Sequence, residues 1–177
     1  SSSEVVDYLK YWERKIITDK KPKTLYQRIE NDDKWYELRE VCGEGILFSY
    51  FVRNDMKFIL NKTGVLARDN FYVIKSKVDD LVLFALLNNY YTYYQLELNG
   101  KRYGAGLLKL QRYDLEKLKF PVYDKISDKD KKEMVRLSRK LLESSDFSII
   151  GEITKIVSKY SDIKHEEIME RYFLAKT

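Results

Sequence analysis

The sequence predicts an α+β fold, a small mixed or antiparallel sheet core flanked by an N-terminal helix and a helical C-terminal tail. Three observations point there. Residues 45–75 break into short β-rich runs separated by turn signals, residues 127–173 carry apolar positions at helical spacing behind capping residues, and the first 17 residues repeat apolar side chains every three or four positions. A chain of 177 residues can bury one sizeable core and is short for two domains with a linker. It is therefore read as a single module over 1–177, with a helical lead-in over 1–40, a core over 41–125 and a helical tail over 126–177.

The elements follow in order. Ser1 to Glu4 has the form of a capping box, and Val5, Val6, Leu9, Trp12, Ile16 and Ile17 lie on one helical face that ends near Lys20-Lys21-Pro22. After a polar connector, Lys34-Trp35-Tyr36-Glu37-Leu38 sets an aromatic anchor in charged surroundings. The runs "ILFSYF", "MKFIL" and "NFYVIK", divided at Arg53-Asn54-Asp55 and Asn61-Lys62-Thr63-Gly64, predict a meander of three strands. Asp79 and Asp80 place negative charge at the start of a buried helix, "LVLFALLNNYY". "TYYQLEL" then alternates like a strand and Asn99-Gly100 signals a hairpin into a strand over Leu107–Gln111. Asp114 would cap a turn over Leu115–Lys119, stopped by Pro121. Ser127-Asp128-Lys129-Asp130 opens a helix striped by Met134, Leu137, Ser138, Leu141 and Leu142, and two more helices are expected near 147–160 and 164–173.

Composition narrows the function. With 44% hydrophobic and 34% charged residues the chain is neither a disordered polyelectrolyte nor a membrane protein, and its longest apolar run, Leu81 to Leu87, falls far short of the roughly 18 residues a bilayer requires. A cytoplasmic location is expected. The single cysteine, Cys42, excludes an internal disulfide framework and a multi-cysteine zinc site. Catalytic parts are scarce: the lone histidine, His165, has no nucleophile motif near it, Gly43-Glu44-Gly45 lacks the remainder of a phosphate loop, and the Asp-x-Lys pairs Asp19/Lys21 and Asp130/Lys132 sit in solvated charged segments.

Charge points elsewhere. Lys and Arg number 33 against 28 Asp and Glu, a net +5, and the excess lies in the middle of the chain: residues 45–75, 97–112 and 119–145 each carry +3 while both ends are nearly neutral. Lysine and arginine on phosphates supply most of the affinity for nucleic acid, and forked or amide side chains on loops read bases. Arg53, Asn54, Lys62, Arg68, Asn70, Lys101, Arg102 and Lys109 fall at strand ends or turns and are the candidate DNA-binding residues, with Tyr103 exposed among them. Glycines at 100, 104 and 106 would let the backbone of "GKRYGAG" press close to a polyanion. Four tyrosines at 90, 91, 93 and 94 line a core boundary with their hydroxyls in water.

Several landmarks occur together and in order: "KWYEL", "FVRNDMKFILNKTGVLARDNFYVI", "LLNNYYTYY" and, most specific, "RYGAGLLKLQRYDLEKLKFPV". On these the chain resembles, over about residues 5–125, the C-terminal target recognition region of N6-adenine DNA methyltransferases of the TaqI-like restriction–modification class, with the type I specificity subunits as cousins. The resemblance implies a domain that docks on double-stranded DNA while a separate upstream domain binds S-adenosylmethionine and methylates a flipped adenine. It assigns Gly104 and Gly106 to a tight backbone path and Arg102 and Lys109 to DNA-facing roles. The methylating Asn/Asp-Pro-Pro-Tyr/Phe motif has no counterpart, since Pro22 and Pro121 are the two prolines. No cofactor is therefore expected in this chain, which reads as a non-catalytic recognition fragment partnered by duplex DNA and an upstream methyltransferase domain or subunit. Two alternatives are a protein-interaction module, docking through Ile149, Ile153, Ile156, Met169 and Phe173, and an RNA-binding domain that stacks single strands on the tyrosine cluster.

Overall fold

The computed structural model describes residues 2–13, 43–67 and 70–176, and the chain divides into two compact units, Ser1–Glu40 and Val41–Thr177. In the first unit, helix α1 (Ser2–Glu13) carries Trp12 edge-on to both Tyr8 and Tyr11. The remainder of the expected lead-in, with Lys34 to Leu38 and Cys42, lies outside the described residues.

The second unit is α+β. Its strands, β1 (Gly45–Ser49), β2 (Phe51–Val52), β3 (Phe58–Asn61), β4 (Phe71–Ile74), β5 (Lys101–Tyr103) and β6 (Leu107–Lys109), form two antiparallel three-stranded sheets ordered β3-β1-β4 and β2-β6-β5. The meander expected from the three runs is not formed. The first run is the central strand of the first sheet, because it alone has two long neighbours matching its alternation: Phe48 lies opposite Phe58 on one side and Tyr72 on the other. Ile46, Phe48 and Phe58 point inward and are buried, with the Phe48 and Phe58 rings stacked 4.3 Å apart. The same run then bends at Tyr50 and continues into the second sheet. The Tyr50 amide donates to Asn70 O (3.1 Å), beside β4, while its carbonyl accepts from Leu110 N (2.8 Å), beside β6. One strand thus feeds both sheets.

Helices α2 (Asp80–Leu87) and α3 (Tyr90–Asn99) follow. Asp79 caps α2 as expected, its carboxylate accepting from Leu81 N and Val82 N. The alternating run "TYYQLEL" is helical, not a strand, and Gly100 terminates the helix in place of turning a hairpin. Two local causes decide this. Asn89 caps the new helix by accepting from Tyr91 N (3.0 Å) and Thr92 N (3.1 Å), and helical spacing buries Tyr93 and Leu96 together, which outweighs the β preference of the tyrosines. Asn88, between the helices, is 3% exposed and fully bonded: Oδ1 accepts from Phe58 N (3.1 Å) and the Tyr93 hydroxyl (2.7 Å), and Nδ2 donates to Phe58 O and Phe84 O.

A short helix, α4 (Arg112–Glu116), closes the core segment, and the tail contains α5 (Asp128–Ser144), α6 (Ile149–Ser158) and α7 (His165–Lys176). Asp114 sits inside α4, not ahead of it, and closes a capping box with Gln111. Ser127 caps α5 by accepting from Asp130 N. Met134, Leu137 and Leu141 of α5 and Ile149, Ile153 and Ile156 of α6 are buried in the unit's own core. Those three isoleucines therefore cannot form the partner-docking face that their apolar spacing suggested. Cross-links fasten the layers: Ser138 Oγ donates to Leu81 O (2.7 Å), and Tyr90 N to Thr154 Oγ1 (3.1 Å). Among the described residues no helix is long and apolar enough to cross a membrane.

Two outcomes are expected. Asn88→Ala leaves the Phe58 backbone groups and the Tyr93 hydroxyl without partners in the interior, and should lower stability by about 3 to 5 kcal/mol in denaturant titration. Asp130 accepts from Lys159 Nζ (2.5 Å), the Tyr160 hydroxyl (2.6 Å) and Ser127 Oγ (3.0 Å), which hold its carboxyl below the ordinary value. A folded value below the unfolded one gives stability that is complete above about pH 4 and is lost as the pH falls through the folded value. Asp130→Asn should be less stable at neutral pH and should meet the parent's stability curve on acidification, as followed by thermal melts across that range.

Candidate nucleic-acid interface

The second sheet divides its side chains between two faces. Across the strands, Val52, Leu108 and Arg102 form one row in register, and Phe51, Lys109 and Lys101 form the next. Val52 and Leu108 are buried, so the second row points outward. Tyr103, two residues beyond Lys101, shares that outer face opposite Leu107. The outer face therefore alternates cations with aromatic rings. Lys109 Nζ stands 5.7 Å from the centre of the Phe51 ring, Lys101 Nζ 5.5 Å from that of Tyr103, and Tyr50 packs 4.4 Å from Phe51. Phe51 and Tyr103 are 39% and 45% exposed.

The turn that closes β5 onto β6 is Gly104-Ala105-Gly106. Ala105 (φ 60°) and Gly106 (φ 70°) are both left-handed, so Gly106 answers a backbone need. Gly104 does not, and a Cβ on either glycine would meet no protein atom within 4 Å. The turn thus carries one small side chain, Ala105, with open space at the glycine on either side. Gly100 is different, because a Cβ there would lie 2.7 Å from Leu108 Cδ1 and 2.8 Å from Leu110 Cδ2. It lets the end of α3 lie against β6.

The candidates separate as follows. Lys101, Tyr103 and Lys109 share the outer face; Arg53 and Asn54 are exposed in the bend after β2, at the end of the sheet where Tyr103 pairs with Leu107. Asn70 is exposed beside Tyr50 at the opposite end. Lys62 follows β3 at the Gly45 end of the first sheet, away from the Ser49 end that leads into the second, and is not part of the group. Arg68 lies outside the described residues. Arg102 belongs to the inward row, and its Nη2 donates to Glu97 Oε2 (2.7 Å) and Ala175 O (2.8 Å). Phe51 and Tyr50 were missed, because "ILFSYF" reads as one buried strand. The two-residue period would have found Phe51, since with Ile46, Phe48 and Val52 inward, Phe51 falls outward with Arg53.

Catalytic alternatives gain nothing from the geometry. Among the described residues no group of three His, Cys, Asp or Glu side chains could hold a metal ion. His165 lies beside Glu166 Oε1 at 3.0 Å on the first turn of α7. Tyr91 and Tyr93 are buried and Tyr90 and Tyr94 half-buried, so the tyrosine cluster is core and not a stacking platform.

A family model described as the C-terminal domain of the type II methyltransferase M.Eco57I matches residues 1–159. No curated protein and no solved structure matches.

The three glycines should behave differently on substitution by alanine. Gly100→Ala crowds two core leucines and should destabilise by about 1 to 3 kcal/mol; Gly106→Ala forces a side chain into a left-handed backbone and should lose about 1 to 2 kcal/mol. Gly104→Ala should stay within about 0.5 kcal/mol of the parent. Urea midpoints of the three variants test this ordering.

Proposed function

The chain belongs to the family of the C-terminal domain of the type II methyltransferase M.Eco57I, and from that premise we propose that it recognises duplex DNA for an adenine-specific methyltransferase domain upstream of it, inside the cell. The observation that carries this reading is the outer face of the second sheet, where Lys101 and Lys109 alternate with the exposed rings of Phe51 and Tyr103 beside a glycine turn of open backbone.

Each component has a physical task. Lys101 and Lys109 neutralise phosphates and release counterions, which supplies affinity without sequence preference. The glycines either side of Ala105 leave open space where side chains would stand, so a sugar–phosphate chain can approach the turn with a single methyl group in its path. Arg53 and Asn54 at one end of the sheet and Asn70 at the other have the forked and amide groups that read base edges in the major groove. The chemistry of methyl transfer, with S-adenosylmethionine, belongs to the upstream domain.

Titration of this chain with random-sequence duplex should show binding that weakens steeply with salt. Lys101→Gln and Lys109→Gln should each weaken it uniformly across sequences and flatten the log–log salt slope by about 1, whereas Asn54→Ala or Asn70→Ala should relax discrimination between duplexes. Absence of salt-sensitive binding at micromolar protein would reject the reading. A preference for single strands over duplex would replace groove reading by stacking on Phe51 and Tyr103.

A further inference from the structure

We infer that Arg102 is a positioning residue, not a DNA contact, and that with it the last turn of α7 braces both edges of the DNA-facing sheet. The inference rests on the duplex-recognition reading of that sheet. It also concerns a part of the chain beyond the family match, which ends at residue 159, six residues before α7 begins.

Arg102 is flanked by Lys101 and Tyr103, yet strand alternation sends its side chain to the opposite face, into the row of Val52 and Leu108. There one nitrogen, Nη2, serves two acceptors, Glu97 Oε2 on α3 at 2.7 Å and Ala175 O on α7 at 2.8 Å. The Glu97 side chain is only 4% exposed while that of Arg102 remains 37% exposed at the sheet edge, and burial raises the Glu97 carboxyl's proton affinity against the pull of the Arg102 and Lys176 charges. A carboxylate so placed needs its counter-charge, so Arg102 is not free to swing toward a phosphate without leaving Glu97 unpaired. Ala175 is in the final turn of α7, where backbone carbonyls lack helical partners and favour a cation.

The opposite edge of the sheet is held by the same turn. Lys176 Nζ pairs with Asp55 Oδ1 at 2.8 Å, in the bend after β2, and that pairing lowers the Asp55 carboxyl's proton affinity. The strand order β2-β6-β5 makes β2 and β5 the edges; Arg102 lies on β5 and Asp55 three residues past the end of β2, and adjacent residues of α7 hold them. The helix end is itself fixed by rings: Tyr172 packs 5.3 Å from Tyr90 and 5.8 Å from Tyr93, and Phe173 packs 5.6 Å from Tyr90. Tyr90, Tyr93 and Glu97 occupy one face of α3, so α3 and α7 together form the support on which Lys101 and Tyr103 are held outward.

The test compares Arg102→Gln, Glu97→Gln and the double variant with the parent chain, each measured where thermal melts show it folded. Duplex affinity across a salt series should fall about tenfold in Arg102→Gln with the slope unchanged, Glu97→Gln should move in the same direction, and the double variant should be no weaker than Arg102→Gln. Amide exchange should quicken together in 101–109 and 172–176. A slope reduced by about 0.9 would mark Arg102 as a phosphate contact and overturn the assignment. Unchanged affinity in a folded variant, or unchanged exchange in those two segments, would also overturn it. If the parent binds no duplex, the recognition reading fails by itself, and the exchange result still decides the brace. Should Arg102→Gln not fold, Glu97→Gln and Lys176→Gln give the same two readouts.

Discussion

The amide of Asn88 holds the second unit together. Its donor and acceptor lie in one plane, so it satisfies the N–H and C=O of Phe58 as a neighbouring strand would, and it does so from the junction of two helices. The edge of the first sheet and the helical layer are thereby joined in the interior, where an unbonded polar group is costly. The next residue, Asn89, starts α3 in a new direction. That direction carries Glu97 and Gly100 to the second sheet, so the two asparagines set where the outer face of that sheet stands.

Tyr50 is the other point of control. A single residue gives its amide to the neighbourhood of β4 and accepts with its carbonyl from the neighbourhood of β6, so the bend costs no backbone hydrogen bond. The inner face beyond the bend continues the core through Val52 and Leu108, while the outer face is released to solvent with Phe51, Lys109, Lys101 and Tyr103. A short two-sided sheet can hold this arrangement because one face alone pays for its folding.

The division between faces also separates charges that are adjacent in sequence. Lys101 and Arg102 are neighbours of like sign, yet one faces outward over Tyr103 and the other inward to a buried carboxylate and a helix end. In this chain the two basic residues that lead into the glycine turn are therefore not equivalent, and Ala175, which lies outside the family match, accepts from one of them.

The sequence by itself determined the α+β class, the caps at Asp79 and Ser127, the short strands before residue 75, the cationic middle of the chain and the family resemblance, because each depends on neighbours within a few positions. Tertiary structure alone decided that "TYYQLEL" is helical, since a cap and a shared buried face outweighed its local β pattern, and that the first β run is central and split between two sheets. It also decided which cations share a face. Lys101 and Lys109 pair across the second sheet while Lys62 stands at the far end of the first, because strand order and register, which local pattern leaves open, set the distance between residues far apart in the chain.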